Sequence, residues 1–127
     1  MFKSLIVGNW KMHGTVEAAI NLAGQLKDHW QADSSVEMVI FPPFVHASAV
    51  ADKVADSAIS IGAQNVSQYS SGAYTGEISA EMLVDLGCKY VLVGHSERRA
   101  LFNESNQTVA EKFKATLSPN ELLYIVK

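Results

Sequence analysis

The sequence predicts an α/β fold built on a parallel sheet, and three observations carry that prediction. Residues 5–7, 36–41, 58–61 and 90–93 are near-continuously apolar, as strands covered on both faces must be. Between these runs apolar residues recur at helical spacing, and strands that alternate with helices form βα units with right-handed crossovers. No stretch has linker or low-complexity composition, so residues 1–127 are expected to form a single domain. Periodicity alone leaves two architectures open, an open doubly wound sheet or part of a βα barrel.

The first strand ends in Gly8-Asn9-Trp10-Lys11-Met12, which delivers polar groups at its carboxyl end. Thr15 is placed to cap a helix whose stripe is Val16, Ala19, Ile20, Ala23, Leu26 and Trp30. The second strand leads into a stripe of Ala47, Val50, Ala51 and Val54. After the third strand, residues 64–78 make a long polar loop of a kind that is uncommon unless functional. Its tyrosines, Tyr69 and Tyr74, suggest a protein contact. Ser79 and Gly87 then bracket a short helix carrying Met82, Leu83 and Leu86.

The fourth strand is the most informative. It runs through Gly94 into His95-Ser-Glu-Arg-Arg99, and composition changes to helix-permissive at residues 96–101. His95 is therefore expected at a helix N-terminus, where backbone N–H groups and the macrodipole favour a neutral ring able to donate a hydrogen bond to an oxyanion. Ser105 caps a last helix with Val109, Phe113 and Leu117 at four-residue spacing, and residues 122–126 are compatible with a fifth strand.

Bulk properties narrow the function. Ten Lys and Arg face thirteen Asp and Glu, with no basic run, so neither nucleic acid nor an anionic membrane is an expected partner. The four histidines are scattered without ligand spacing, so no metal is expected. Neither G-x-G-x-x-G nor a P-loop occurs, so the first loop carries neither the dinucleotide nor the P-loop signature. Cys88 stands alone; it is expected to be a buried structural thiol in a reducing, cytoplasmic setting. The apolar start is too short for an export signal or a membrane span.

Gly8-Asn-Trp-Lys-Met12, Gly62-Ala-Gln-Asn65, Gly72-Ala-Tyr-Thr-Gly-Glu-Ile-Ser79 and Val93-Gly-His-Ser-Glu-Arg-Arg99 together resemble the triosephosphate isomerase family, in order and in spacing. The resemblance covers residues 1 to about 115 and implies the first four βα units of a TIM (β/α)8 barrel, its amino-terminal half. It also implies a cofactor-free isomerase that interconverts dihydroxyacetone phosphate and glyceraldehyde 3-phosphate through an enediolate, in glycolysis and gluconeogenesis. By this resemblance His95, Lys11 and Glu97 are the catalytic residues, with Asn9 and Lys11 binding substrate. His95 would be the neutral electrophile, in a family that is itself the worked example of such tuning. Arg98 and Glu104 would form a structural ion pair. Thr75, Tyr74, Glu77 and Arg98 would belong to a homodimer interface, Thr75 buttressing Asn9 and His95 of the partner.

From about residue 116 the sequence departs from the family pattern, and the family's glutamate base, lid and phosphate-binding glycines have no counterpart in the 127 residues. A truncated half-barrel of this kind is expected to be inactive alone. Its open sheet edges would drive pairing with another copy or a complementary half. The alternative is a non-catalytic half-barrel that binds a full-length subunit or another partner.

Overall fold

The computed structural model describes residues 4–119 and 123–126. The chain divides into two compact units, Met1–Gln64 and Asn65–Lys127.

The first unit runs β1 (Ser4–Asn9), α1 (Val16–His29), β2 (Val36–Phe41), α2 (Phe44–Val54) and β3 (Ile59–Ala63). Its strands are parallel, β1 on β2 with Ser4 opposite Val36 and Asn9 opposite Phe41, and β2 on β3 with Ile40 opposite Ile61. That register brings the carboxyl ends of β1 and β2 level, so whatever follows Asn9 emerges beside Phe41. Val39, Ile40, Phe41, Val50 and Val54 form the buried centre. The Thr15 hydroxyl caps α1 by accepting the Ala18 N–H at 3.1 Å, and α1, whose buried residues are the small Ala19 and Ala23, packs against α2. Leu5 and Ile6 on β1 remain 38% and 46% exposed.

Strand β3 corrects the expected limits, beginning at Ile59 and continuing through Gly62 to Ala63. Gly62 does not stop the strand. It is there because the Phe41 ring occupies the space a Cβ would need.

The second unit runs α3 (Ala80–Leu86), β4 (Tyr90–Val93), α4 (Ser96–Leu101), α5 (Asn106–Leu117) and β5 (Leu123–Val126). Strand β5 pairs in parallel with β4, Tyr90 opposite Leu123 and Val93 opposite Val126, so the fifth strand expected from residues 122–126 is present at 123–126. Ser79 and Gly87 bracket α3 as expected, the glycine in the left-handed region at φ 109°. Cys88 is buried, and desolvation pushes its thiol up to about 11. The parallel strands and alternating helices make this an α/β fold, a partial TIM barrel of four βα units and a fifth strand.

Helix α5 differs from the expected stripe. Val109, Lys112 and Thr116 are its buried residues, whereas Leu117 is 52% exposed. The inward face follows a spacing of three and four residues rather than four and four, because a buried carboxylate draws Lys112 inside.

Candidate active site

The residues expected to carry chemistry fall into two groups, one in each unit. In the first, Asn9 ends β1, and its side-chain Oδ1 accepts the Lys11 backbone N–H at 3.0 Å. The turn this makes places Lys11 at φ 55°, in the left-handed region that a side chain with a Cβ enters at an energetic cost. Gln64, the residue after β3, reaches back to this turn. Its Nε2 donates to the Lys11 carbonyl at 2.9 Å and to the Phe41 carbonyl at 2.9 Å. The Phe41 carbonyl also accepts the Trp10 N–H at 3.1 Å. The lysine side chain is exposed.

In the second unit, β4 ends at Val93, and Gly94 turns the chain at φ 71°. A Cβ here would approach Val109 Cγ1 to 2.9 Å, so glycine is required both by conformation and by the packing of α5. His95 is the N-cap of α4, and its Nδ1 accepts the Glu97 N–H at 3.1 Å. An Nδ1 that accepts carries no proton, so the neutral ring holds its proton on Nε2 and presents a donor there. The Glu97 carboxylate lies 3.8 Å from Nδ1, a contact that is an ion pair only when the imidazole is protonated. It lies in the first turn of α4, where the helix dipole favours negative charge.

The expected pair of Arg98 and Glu104 is present and larger than expected. Glu104 is buried, and its Oε2 accepts from Arg98 Nε and from Lys112 Nζ, both at 2.6 Å. Lys112 also donates to Asn65 Oδ1 at 2.9 Å. Burial acts to raise the Glu104 carboxyl, but Lys112 and Arg98 outweigh it and hold the group below the ordinary carboxylate range. Arg98 further lies 4.8 Å over the Phe102 ring, and Arg99 Nε donates to the Gly94 carbonyl at 3.2 Å. The loop between β4 and α5 is thus tied down on both sides of His95.

Thr75, Tyr74 and Glu77 lie in the loop after β3, exposed at 69–77. Its ends are clasped by Ser67 N–H donating to the Ile78 carbonyl at 2.8 Å. Tyr69 and Tyr74 stack with ring centroids 3.8 Å apart and planes 3° from parallel. Among the described residues no cluster of three metal-ligating side chains occurs, and no helix is long and apolar enough to cross a membrane.

The family model described as Triosephosphate isomerase matches residues 4–126. The chain belongs to the triosephosphate isomerase family. The match extends past residue 116, where the sequence pattern departs, and takes in β5. The triosephosphate isomerase of Magnetococcus marinus is 50% identical over 113 residues, 88% of this chain and 44% of that protein. That of Thiobacillus denitrificans is 48% identical over 115 residues, 91% of this chain and 45% of its own length. That of Chloroflexus aurantiacus is 48% identical over 114 residues, covering 90% and 46%. The chain therefore spans somewhat less than half of each of these family members.

Sequence reasoning missed four residues that build this triosephosphate isomerase-like framework. Gln64 and Asn65 follow β3 directly, and two amides at the carboxyl end of a strand were the available signal. Lys112 stands three residues after Val109 and four before Thr116, a position on the inward face of α5. His46 is buried in α2 with Nε2 on the Gly14 carbonyl at 3.2 Å. Nothing in its surrounding sequence announces that contact.

Proposed function

We propose that this chain carries the electrophilic half of an aldose–ketose isomerase site for a triose phosphate, interconverting dihydroxyacetone phosphate and glyceraldehyde 3-phosphate. The observation that carries this is the His95 ring, whose Nδ1 accepts the Glu97 N–H at 3.1 Å and so leaves Nε2–H as a donor. As a base removes the proton α to the substrate carbonyl, negative charge moves onto the carbonyl oxygen. The His95 Nε2–H stabilises the enediolate oxygen, and the Lys11 ammonium offsets its charge together with that of the phosphate. The hydroxyl proton passes from one enediolate oxygen to the other and the carbon-bound proton returns to the neighbouring carbon, which completes the exchange of aldose and ketose. Asn9 sets the turn that presents Lys11, and Glu97 orders the imidazole through its backbone N–H. No cofactor or metal takes part.

These 127 residues hold no counterpart of the family's glutamate base. Absence of a positioned base lowers the rate by about 100-fold to 10,000-fold, so the chain taken alone is proposed to be inactive and to act, in the cytoplasm, as one half-barrel domain. Leu5 and Ile6, 38% and 46% exposed on β1, favour a second reading. In it, self-association, or pairing with a complementary half or a full-length subunit, covers that strand, and Thr75, Tyr74, Glu77 and Arg98 contribute to a homodimer contact.

The test is conversion of glyceraldehyde 3-phosphate by purified, mass-verified chain beside a His95→Ala variant. No turnover is expected from either. Turnover that disappears in His95→Ala would place a base inside these residues and overturn the proposed inactivity.

A further inference from the structure

We propose that Glu111 is a positioning residue that fixes where the long loop after β3 stands, and thereby sets the geometry in which the loop tip meets another copy of this chain. The inference deepens the reading in which Thr75, Tyr74 and Glu77 belong to a homodimer contact, and it rests on that reading for its purpose. The latch itself rests on geometry.

The contacts that shape the loop are not those that place it. Ser67 N–H donates to the Ile78 carbonyl at 2.8 Å and closes the ends, Ser67 Oγ accepts the Tyr69 N–H at 3.1 Å, and the Tyr74 carbonyl accepts the Glu77 N–H at 3.0 Å. Like the stack of Tyr69 on Tyr74, these bonds join one part of the loop to another. They give it a shape and leave its orientation free.

Orientation comes from α5. Val66 and Ser67 are buried at the base of the loop, and the chain is exposed from Tyr69 onward. Gln68, half-buried between them, donates from Nε2 to Glu111 Oε2 at 2.5 Å. Asn65, three residues earlier, accepts from Lys112, the neighbour of Glu111 on α5. That tie secures the base, whereas the bond to Gln68 acts where the loop leaves the second unit.

Glu111 is itself held in aim. Gln107, one turn earlier on the same face of α5, donates from Nε2 to Glu111 Oε1 at 2.9 Å. A carboxylate suits the task because both its oxygens accept, one for each amide, and its charge strengthens both bonds. Without it the exposed tip keeps its shape but loses its place. Such a tip meets a partner surface in the right geometry for only part of the time, and the apparent affinity falls by that fraction.

The experiment places a nitroxide at the tip through Ser71→Cys, in a Cys88→Ala background, on the 127-residue chain with and without Glu111→Ala. Alanine is a better helix former than glutamate, so α5 is expected to persist. The readouts are the broadening of α5 amide signals by the nitroxide and, without the label, the proton contacts between the Tyr69 and Tyr74 rings. In Glu111→Ala the broadening should redistribute along α5, while the ring contacts and the exchange protection of α5 hold. If Glu111→Ala does not fold, Gln68→Ala, which removes the donor from the side of the loop, is read in the same way. Unchanged broadening in a folded variant would overturn the proposal, as would loss of the ring contacts together with the change in broadening, which marks a merely structural role. Sedimentation equilibrium of the unlabelled chains tests the purpose. Self-association should weaken about threefold to tenfold in Glu111→Ala, the worth of one hydrogen bond of ordinary strength read as a loss of competent population. If the unsubstituted chain stays monomeric, the homodimer reading fails, while the latch is still decided by the nitroxide. A variant with a displaced loop that self-associates as tightly as before would overturn the role given to Glu111 in that contact.

Discussion

Replacing Lys112 with methionine should be among the most damaging single substitutions in the second unit. The lysine side chain is 8% exposed and that of Glu104 is 5% exposed, so the change leaves a buried carboxylate with one cation in place of two. Arg98 remains at 2.6 Å from Oε2, but its side chain is 31% exposed, and water weakens its pull. Oε1 of Glu104 is already buried with no partner among the described residues, and Asn65 Oδ1 loses its Lys112 donor. Breaking a buried pair by removing one partner costs about 3–5 kcal/mol. The surviving Arg98 places the expected loss near the lower end, about 3 kcal/mol. Urea unfolding at pH 7 reads this as a midpoint lower by roughly 1.5–2 M for a slope of about 1.5–2 kcal/mol/M. Adding Glu104→Gln to Lys112→Met should restore part of the loss, since the stranded charge is gone. Acid supplies an independent check. Glu104 is held below its ordinary value of 4.5, so its contribution is full above that pH and is lost as the pH falls through the lower, folded-state value. The stability gap between the unsubstituted chain and Lys112→Met should accordingly be level between pH 7 and about pH 5 and should narrow below about pH 4. A Lys112→Met loss under about 1 kcal/mol, or a double variant worse than the sum of the singles, would refute the argument that a buried charge is being stranded.

Two further outcomes follow from packing. Gly62→Ala puts a methyl group where the buried Phe41 ring lies, and overpacking of this kind should lower stability by about 1–3 kcal/mol in thermal unfolding; an unchanged melting temperature would mean that the ring moves aside freely. Cys88, with its thiol pushed up to about 11, holds on the order of one thiolate per thousand at pH 8. An aromatic disulfide reagent should label it slowly in the folded chain and promptly in urea, and stoichiometric labelling within minutes under native conditions would contradict its burial.

The parts of this fold that were legible in the sequence are those that depend on one chemical property repeated along the chain. The strand at 90–93 is a continuous apolar run and that at 36–41 is broken only by Glu37, as suits parallel strands covered on both sides. The caps Thr15, Ser79 and Ser105 were legible because a hydroxyl at the start of a helical stripe has one favourable use, which each fulfils. His95 was legible at a helix N-terminus, while the capping role of its ring nitrogen was not, since only the Glu97 N–H on Nδ1 decides it. Helix α5 was misjudged because a hydrophobic pattern cannot rank a lysine as an inward residue. Lys112 is inside only because Glu104, eight residues earlier, is inside too. Gln64 stood out only as an amide at the end of a strand, and its partners could not be read because its two acceptors are backbone carbonyls, which every residue in the chain carries.

The loop after β3 has a consequence for the entropy of association. Its ends are joined by the hydrogen bond from Ser67 to Ile78, its tyrosines lie face to face, and Gly72 and Gly76 take positive φ at 131° and 90°. A free loop of this length explores many shapes, and any surface that gripped it would first have to select one, losing part of the binding free energy to that ordering. Here the ordering is complete when the chain folds. The exposed tip at 69–77 is a preformed shape, so a surface that gripped it would lose less of its binding free energy to the ordering of the loop.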